Sequence, residues 1–460
     1  MPCAGPVVTN RAPRRGAHVT EPRPSWHSNV GFLLAAVGSA VGLGNLWRFA
    51  YLASESGGAA FVLVYLVVIV LVGAPLLVAE LAMGRSAREG AFRAPGRLVG
   101  RRLEWVGALF VLTGFAILSY YSVITGWTAR YLVAVARGAV ERDTAAQFAA
   151  AASGGAAVTW HLVAMALTVA IVAGGVRGGI ERASLVLMPA LFVLLIALAA
   201  WAATLPDGGA GYAFYLRPDP ARIWRLDTFT SAVGQAFFSL SLGMGAMLTY
   251  ASYLQKGGSL VREGFVIALA DGSVAFAGGL VTFPIVYQFG LQGQVGESTV
   301  GALFIALPHA FATLGATGRI VGTAFFLALL IAALTSAISL LEVLVDAVVA
   351  RTGWSRRRAV VLAGGATALA GVPAALDLRW LGAADRIAGN LLLVVGGLII
   401  AILTGWIWTG ADAELADGFP HPRVRRAWIW LLRVAIPAAL ALVLVGAVRD
   451  ALGVIAAAIR

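Results

Sequence analysis

The residues of this sequence that could do chemistry are polar or flexible groups placed inside long apolar segments. In the run GSAVGLGNLWRF, Gly38, Gly42 and Gly44 are followed by Asn45. Each interior glycine destabilises a helix by about 1 kcal/mol relative to alanine, so this run predicts a helix that is interrupted midway. Interrupted backbone leaves carbonyls free to coordinate a cation and amides free to bind an anion. Close helix packing through small residues is the alternative interpretation.

Later apolar segments carry oxygen-bearing side chains. Asp271 is the acidic residue of segment 265–291, and Thr335 and Ser336 lie in ALTSAISLLE at 333–342. Carboxylate, hydroxyl and carbonyl oxygens are hard ligands, which suit an alkali cation better than zinc or copper. A carboxylate inside an apolar span is a functional candidate because its burial is costly. The alternatives are a carboxylate that reaches water at a helix end, and hydroxyls that bond to the preceding turn.

The composition is that of a membrane protein. Of 460 residues, 60% are apolar and 12% are charged, against roughly 25% charged in soluble domains. This excludes a soluble enzyme, a secreted scaffold and a disordered chain. A spanning helix needs about 20 apolar residues, and runs of that length predict eleven spans, near 29–50, 59–83, 103–136, 157–174, 180–204, 230–252, 265–291, 317–349, 357–376, 385–410 and 427–447.

The stretch 301–314 is apolar but too short to cross as a helix, and it contains Pro308 and His309. We therefore expect a re-entrant or surface hairpin there. Cytoplasmic loops collect Lys and Arg. With the N-terminus inside, inner segments hold 21 basic residues and outer segments hold nine. This predicts a multi-pass protein of the plasma (inner) membrane, with residues 1–24 as a disordered cytosolic tail.

The net charge of +12 is thus a signal of topology, and we expect no binding of nucleic acid. Lys256 follows Gln255, so no Walker A motif is present, and GLGNLW lacks the third glycine of a dinucleotide fingerprint. We find no paired nucleophile and base on facing spans, which argues against an enzyme. A gradient-driven carrier, a channel and a sensor remain.

Several long motifs resemble one family. GSAVGLGNLWRF is similar to the first-helix signature of the neurotransmitter:sodium symporters, and GQAFFSLSLGMGAMLTYASY at 234–253 is similar to their sixth-helix signature. VGAPLLVAELAMGR at 72–85, ILSYYSVITGW at 117–127 and ALTSAISLLE resemble the second, third and eighth helices. The resemblance extends from about Trp26 to Trp408.

The resemblance implies an all-α membrane protein with a 5+5 inverted-repeat fold and interrupted first and sixth helices. The core would be 25–410, with repeats at about 25–204 and 230–410. Residues 411–460 would hold the last loop, the eleventh helix, as in bacterial members, and the C-terminal end.

The resemblance also implies two sodium sites. The first would use Ala40, Asn45, Ser239, Asp271 and the substrate carboxylate; the second would use Gly38, Val41, Ala332, Thr335 and Ser336. Chloride-requiring relatives have a serine where Ala275 lies. We expect Asp271 to supply the compensating negative charge, so that chloride is not required.

For the substrate, the resemblance implies that Leu43, Gly44 and Tyr121 hold a carboxylate. Monoamine carriers have aspartate at the position of Gly42, so glycine favours an amino acid. The amino group would meet Ala40, Phe238 and Ser241. The remaining pocket residues, together with Ser239 and Ser336, would be Ser39, Ile117, Ile124, Phe238, Met244 and Leu340. This mostly apolar, uncharged set predicts a neutral, hydrophobic or aromatic amino acid.

The resemblance implies a gate on each side. Arg48 and Asp385 would form an outer ion pair, with Gln235 near the arginine and with Phe238 and Tyr121 below it. Read alone, each charge could equally be a helix-end residue that reaches the membrane surface. Arg23 and Trp26 match an inner latch, whose aspartate partner is replaced by Ala350 and Arg351; Asp346 is the candidate substitute.

Together these features predict a sodium-coupled symporter that imports an amino acid by alternating access. An amino-acid-gated ion channel or a sensor built on a transport fold is the alternative. The expected partners are the small-molecule substrate and the lipid bilayer. The sequence does not fix the oligomeric state.

Overall fold

The computed structural model describes residues 24–293, 302–419 and 421–459, and these residues form helices and no strands. Nine helices are long and apolar enough to cross a membrane within this described part of the chain. We number them as spans two to five and seven to eleven. Their bounds are Ala59–Ala87, Arg101–Ala136, Gly154–Ala173, Val176–Ala202, Leu260–Gln288, Gly315–Thr352, Arg356–Leu376, Leu378–Ile407 and Pro422–Gly453.

The two remaining expected spans are broken. The glycines of span one predicted its break, and the resemblance implied the break of span six. Span one consists of Asn29–Ala40 and Gly44–Glu55, which are bent by 57° at the break. Span six consists of Leu226–Ser239 and Ala246–Ala251. The interruption of the first and sixth helices is thus confirmed, and the nine continuous spans with the two broken ones correspond to the eleven expected spans within the described residues. The expected tail, 1–24, lies outside the described residues except for Pro24.

Short helices connect the spans. They are Ala94–Val99, Thr144–Ala151, Gly209–Leu216, Pro220–Ile223, Leu307–Thr313 and Ala411–Leu415. Leu307–Thr313 belongs to the stretch that we expected not to cross. The segment just before it packs Phe304 on Tyr131 of span three and on Phe326 of span eight, with ring centroids 5.2 and 6.2 Å apart. It therefore covers the ends of these two spans, and part of the expected hairpin, 294–301, lies outside the described residues.

Exposed tryptophans lie at the ends of spans or in the loops beside them. Trp224 and Trp380 are 89% and 64% exposed, and Trp105 and Trp430 are 59% and 58% exposed. Tryptophan is enriched at both membrane–water interfaces because its ring is apolar and its N–H is polar. The distribution fits an integral membrane protein.

Span one lies at the centre of the molecule. Its first half contacts spans five, seven and eight, and its second half contacts span seven. Span three packs along span eight. The breaks of spans one and six are therefore enclosed by continuous helices, and irregular backbone at this depth is tolerated where other helices bury it.

Candidate functional site

The break in span one follows Ala40. Val41 has an extended conformation (φ −70°, ψ 111°), so the helix cannot continue through it. The Gly42 amide donates to Asn45 Oδ1 at 2.9 Å, and the Leu43 amide donates to the Tyr121 hydroxyl at 3.0 Å. These amides head the second half of span one, where the helix dipole favours a negative charge.

The break in span six depends on left-handed backbone. Gly243 and Gly245 have φ of +82° and +78°, and Ser241 has φ of +55°, which is uncommon for a residue with a Cβ. Ser241 Oγ donates to the Ser39 carbonyl at 2.8 Å, so the two breaks contact each other directly. From span two, the fully buried Glu80 accepts a hydrogen bond from the Gly243 amide at 2.7 Å. This carboxylate braces the broken helix.

A small cavity lies between the two breaks. It is lined by Ala40, Gly42, Gly44, Asn45, Ile117, Tyr121, Phe238, Ser239, Ser241, Met244, Ser336 and Leu340. The centre of a water molecule can occupy about 20 Å³ of this cavity. This is room for roughly one water. An amino acid would therefore need side chains that line the cavity to move aside.

Three expected pocket residues are buried beside the cavity rather than on its wall. Ser39 Oγ donates to Ser339 Oγ of span eight at 2.8 Å. Leu43 contributes its amide, as described above, and its side chain is buried. Ile124 is also completely buried on span three. The other eleven of the fourteen expected substrate residues line the cavity.

Asp271 lies at the predicted first cation site. Its carboxylate is fully buried, and it accepts hydrogen bonds from Asn45 Nδ2 at 2.7 Å and from Ser239 Oγ at 2.7 Å. Tyr65 of span two lies 3.4 Å away through its hydroxyl. Within the described part of the chain, no basic side chain pairs with this carboxylate. A buried charge without a counter-charge is costly, so the cluster suits a bound cation.

The five residues expected at the second cation site belong to spans one and eight, which are in contact there. Ser336 Oγ donates to the Val41 carbonyl at 3.1 Å and also lies 3.3 Å from the Ser39 carbonyl. Thr335 Oγ1 donates to carbonyls of its own helix, Ile331 at 3.0 Å and Ala332 at 3.1 Å. A Cβ at Gly38 would lie 3.1 Å from that of Thr335, which shows how closely the spans approach. For Thr335, the ordinary bonding to the preceding turn is therefore what the structure shows.

The outer gate differs from the expectation. Arg48 Nη2 donates to Asn390 Oδ1 at 2.8 Å, and its guanidinium lies 4.8 Å from the centre of the Phe238 ring. Asp385 Oδ1 instead accepts from the Tyr120 hydroxyl at 3.0 Å. The expected Arg48–Asp385 ion pair is not formed between these described residues, because each has another partner. Gln235 donates to the Gly44 carbonyl at 2.9 Å, below the arginine.

On the other side of the molecule, the indole of Trp26 is buried against the end of span six. Its Nε1 donates to the Tyr250 carbonyl at 2.9 Å, and its ring centre lies 6.2 Å from that of Tyr253. The Tyr253 hydroxyl donates to Glu342 at 2.8 Å, and Arg356 binds both oxygens of that carboxylate at 2.8 and 2.6 Å. Arg23, the other expected latch residue, lies outside the described residues.

Several contributors to these clusters were not predicted, among them Tyr65, Asn390, Glu342 and Arg356. Tyr65 and Asn390 lie in apolar surroundings without a repeating pattern, and Glu342 and Arg356 are separated along the chain. A signal existed only for the last pair, because Glu342 is an acidic residue within an apolar span. Nothing in the local sequence points to its partner.

Two broken helices around a central cavity in an all-helical membrane protein are the architecture of the inverted-repeat transporters. A model of the sodium:neurotransmitter symporter family matches residues 23–140 and 143–409. The sodium-dependent transporter YhdH of Bacillus subtilis is 35% identical over 449 residues, 92% of this chain and 98% of that protein. A sodium-dependent transporter of Methanocaldococcus jannaschii is 34% identical over 413 residues, 84% of this chain and 82% of that protein.

Among solved structures, the crystal structure of MhsT in complex with L-phenylalanine matches with a TM-score of 0.85 and 39% identity. The match covers 93% of this chain and 100% of that chain. The chain belongs to the sodium:neurotransmitter symporter family. This confirms the resemblance, the fold class and the sodium-dependent transport that the motifs predicted.

Proposed function

We propose that this protein is a sodium-coupled symporter that imports a neutral, hydrophobic or aromatic amino acid by alternating access. The observation that carries the proposal is the buried carboxylate of Asp271, which faces Asn45 and Ser239 beside the cavity and has no basic partner among the described residues. A sodium ion there would compensate its charge. Because Asn45 and Ser239 line the cavity as well as contacting Asp271, the substrate can complete the same coordination shell.

The chemistry of the cavity supports a substrate that brings its own carboxylate. Gly42 provides no side chain, and no acidic side chain lines the cavity in the described part of the chain. The Leu43 amide and the Tyr121 hydroxyl, already hydrogen-bonded to each other, are the donors that would meet that carboxylate. The Ala40 and Phe238 carbonyls and the Ser241 hydroxyl would receive the amino group.

The substrate side chain would contact apolar groups. Ile117, Met244 and Leu340 line the cavity, with Phe238 closing it towards Arg48. A wall of this kind discriminates by only about 1–3 kcal/mol per methylene, so several related amino acids are expected to compete. The complex of MhsT with L-phenylalanine supports an aromatic substrate for this chain as well.

Coupling follows from the shared ligand. If the substrate carboxylate and Asp271 both coordinate one sodium ion, each bound species raises the affinity for the other by the same factor. A second sodium ion would bind carbonyls of Gly38, Val41 and Ala332 with the hydroxyls of Thr335 and Ser336. The Thr335 hydroxyl can keep donating to its own helix while a lone pair of its oxygen meets the ion, and the ion would hold spans one and eight together.

The bias of basic residues supports a cytoplasmic N-terminus in the inner membrane. Arg48 and Asn390 would then close the outer side, and Trp26 with Tyr253 would close the inner side. Asp385, which the resemblance pairs with Arg48, would belong to the same outer closure. Because Asp271 already provides a negative charge and Ala275 occupies the serine position one turn later, we infer that transport does not require chloride.

The test is uptake into proteoliposomes under an imposed sodium gradient, with a panel of labelled amino acids. We expect saturable, concentrative uptake of aromatic and large aliphatic amino acids, and no concentrative uptake when potassium replaces sodium. Gluconate in place of chloride should leave the rate unchanged; loss of uptake would refute the role of Asp271. An ionic current far larger than the substrate flux would instead favour the channel.

A further inference from the structure

A second cavity lies away from the transport site, at the predicted cytosolic ends of spans three and eight. The loop helix Ala94–Val99 closes it on one side, and about 540 Å³ is open to water. Its charged lining residues are Glu89, Arg93, Arg97, Arg101, Glu104 and Arg351. Four guanidinium groups face two carboxylates, so the cavity carries a net positive charge.

The arginines are held around one space by contacts between three elements. The Arg93 guanidinium donates to the Ala350 carbonyl, which joins the loop to the end of span eight beside Arg351. A Cβ at Gly96 would lie 2.6 Å from Glu104 Cγ, so the loop helix lies directly against the start of span three. The charges thus form a concave surface rather than separate helix ends.

The exposed face of span three indicates that this surface borders the bilayer. Exposed residues recur along one face of the helix at Arg101, Trp105, Ala108 and Leu112. Trp105 and Leu112 are 59% and 54% exposed, and an exposed tryptophan at the end of a spanning helix is typical of the membrane–water interface. Arg101 therefore lies at the end of a lipid-facing stripe, at the depth of the headgroups.

The Glu104 carboxylate does not neutralise the arginine beside it. The Glu104 carboxylate lies 3.8 Å from Arg101 Nε, with the two side chains 45% and 96% exposed. Ion pairs this exposed contribute little, because water and salt screen them. The charge of Arg101 therefore remains available to a ligand, and Arg97 is also exposed.

We propose that this cavity binds the phosphate of an anionic phospholipid from the cytosolic leaflet. Basic pockets between helices on this side suit anionic headgroups, and guanidinium groups bind phosphate oxygens through paired hydrogen bonds. The acyl chains would lie along the stripe of Trp105, Ala108 and Leu112. A bound lipid would connect the loop after span two to the ends of spans three and eight.

The test titrates the purified full-length chain with dioctanoyl phosphatidylglycerol and follows the midpoint of thermal unfolding, which rises when a ligand binds the native state. Dioctanoyl phosphatidylcholine and inorganic phosphate are the parallel titrations. The variant is Arg97→Gln with Arg101→Gln. The matched control is Arg102→Gln, which removes an exposed neighbouring charge that does not line the cavity.

We expect phosphatidylglycerol to stabilise the wild type at concentrations where phosphatidylcholine and phosphate have no effect. Each arginine removed should weaken the apparent affinity roughly fivefold, hence about 25-fold in the double variant, with the control unchanged. Equal weakening by Arg102→Gln would overturn the proposal in favour of diffuse attraction. Equal stabilisation by free phosphate would also overturn it, because the lipid would then contribute nothing beyond an anion.

Discussion

The substitution Asp271→Asn tests the first sodium site with almost no change in shape. The carboxylate accepts hydrogen bonds from Asn45 on one oxygen and from Ser239 on the other. An asparagine can keep its oxygen towards Asn45 and turn its amide towards the Ser239 hydroxyl, which can accept. The substitution therefore removes a charge while the packing and a neutral oxygen ligand remain.

The expected loss is large because the group is fully buried. Two unit charges about 4 Å apart interact by about 4 kcal/mol at an effective dielectric constant near 20. The substrate carboxylate would still supply part of this attraction. We therefore expect the substitution to weaken sodium binding by about 3 kcal/mol. At 1.4 kcal/mol per tenfold, the sodium concentration for half-maximal uptake should rise by roughly 100-fold.

The assay measures substrate uptake against sodium concentration, with choline holding the ionic strength constant. In the variant, chloride should stimulate uptake, because a mobile anion can supply the missing negative charge. Asp412→Asn is the matched control: it removes a carboxylate that is 57% exposed and lies 4.0 Å from Arg425. An unchanged half-maximal sodium concentration in Asp271→Asn would show that this carboxylate does not face the ion.

Substitutions at Gly42, Asn390 and Glu342 test the cavity, the outer gate and the inner side of the molecule. Gly42→Ala would place a Cβ 2.6 Å from Ser336 Oγ; we expect at least a tenfold higher KM for the substrate, and Gly42→Asp should abolish amino-acid uptake. Asn390→Ala removes a charged hydrogen bond worth about 1.5–3 kcal/mol from the outer gate, so bound labelled substrate should dissociate about tenfold faster. Glu342→Gln leaves Arg356 partly buried without its carboxylate; the melting temperature should fall, reflecting about 2–3 kcal/mol, and adding Arg356→Gln should restore most of it. No fall in Glu342→Gln would contradict the energetic role of this pair.

Much of the fold could be predicted because its signals are local. Runs of apolar residues define the continuous spans, and glycines mark the break of span one, whereas the break of span six was expected from the resemblance. Gly243 and Gly245 have positive φ in the structure, so the glycine pattern of span six has a direct conformational reason. The composition likewise identified a membrane protein before any motif was compared.

The contacts between spans could not be predicted in the same way. Tyr65 reaches Asp271 from span two, and nothing in the surrounding run of apolar residues distinguishes it from a tyrosine packed against lipid or core. The contact exists only because span two packs against span seven. Distances of this kind depend on tertiary arrangement, which a single sequence does not display.

The arrangement at the outer gate has a specific backbone cause. Residues Asp385–Leu392 form a π-helix, in which hydrogen bonds join residues five apart. Asp385 and Asn390 are five residues apart, so this wider turn places both on one face, where an α-helix would rotate them apart. Both can therefore face Arg48, and the carboxylate is held by Tyr120 while the amide holds the arginine. The resemblance assigns the arginine a single acceptor, Asp385, whereas the extra residue in the turn brings Asn390 to the same face as a second acceptor.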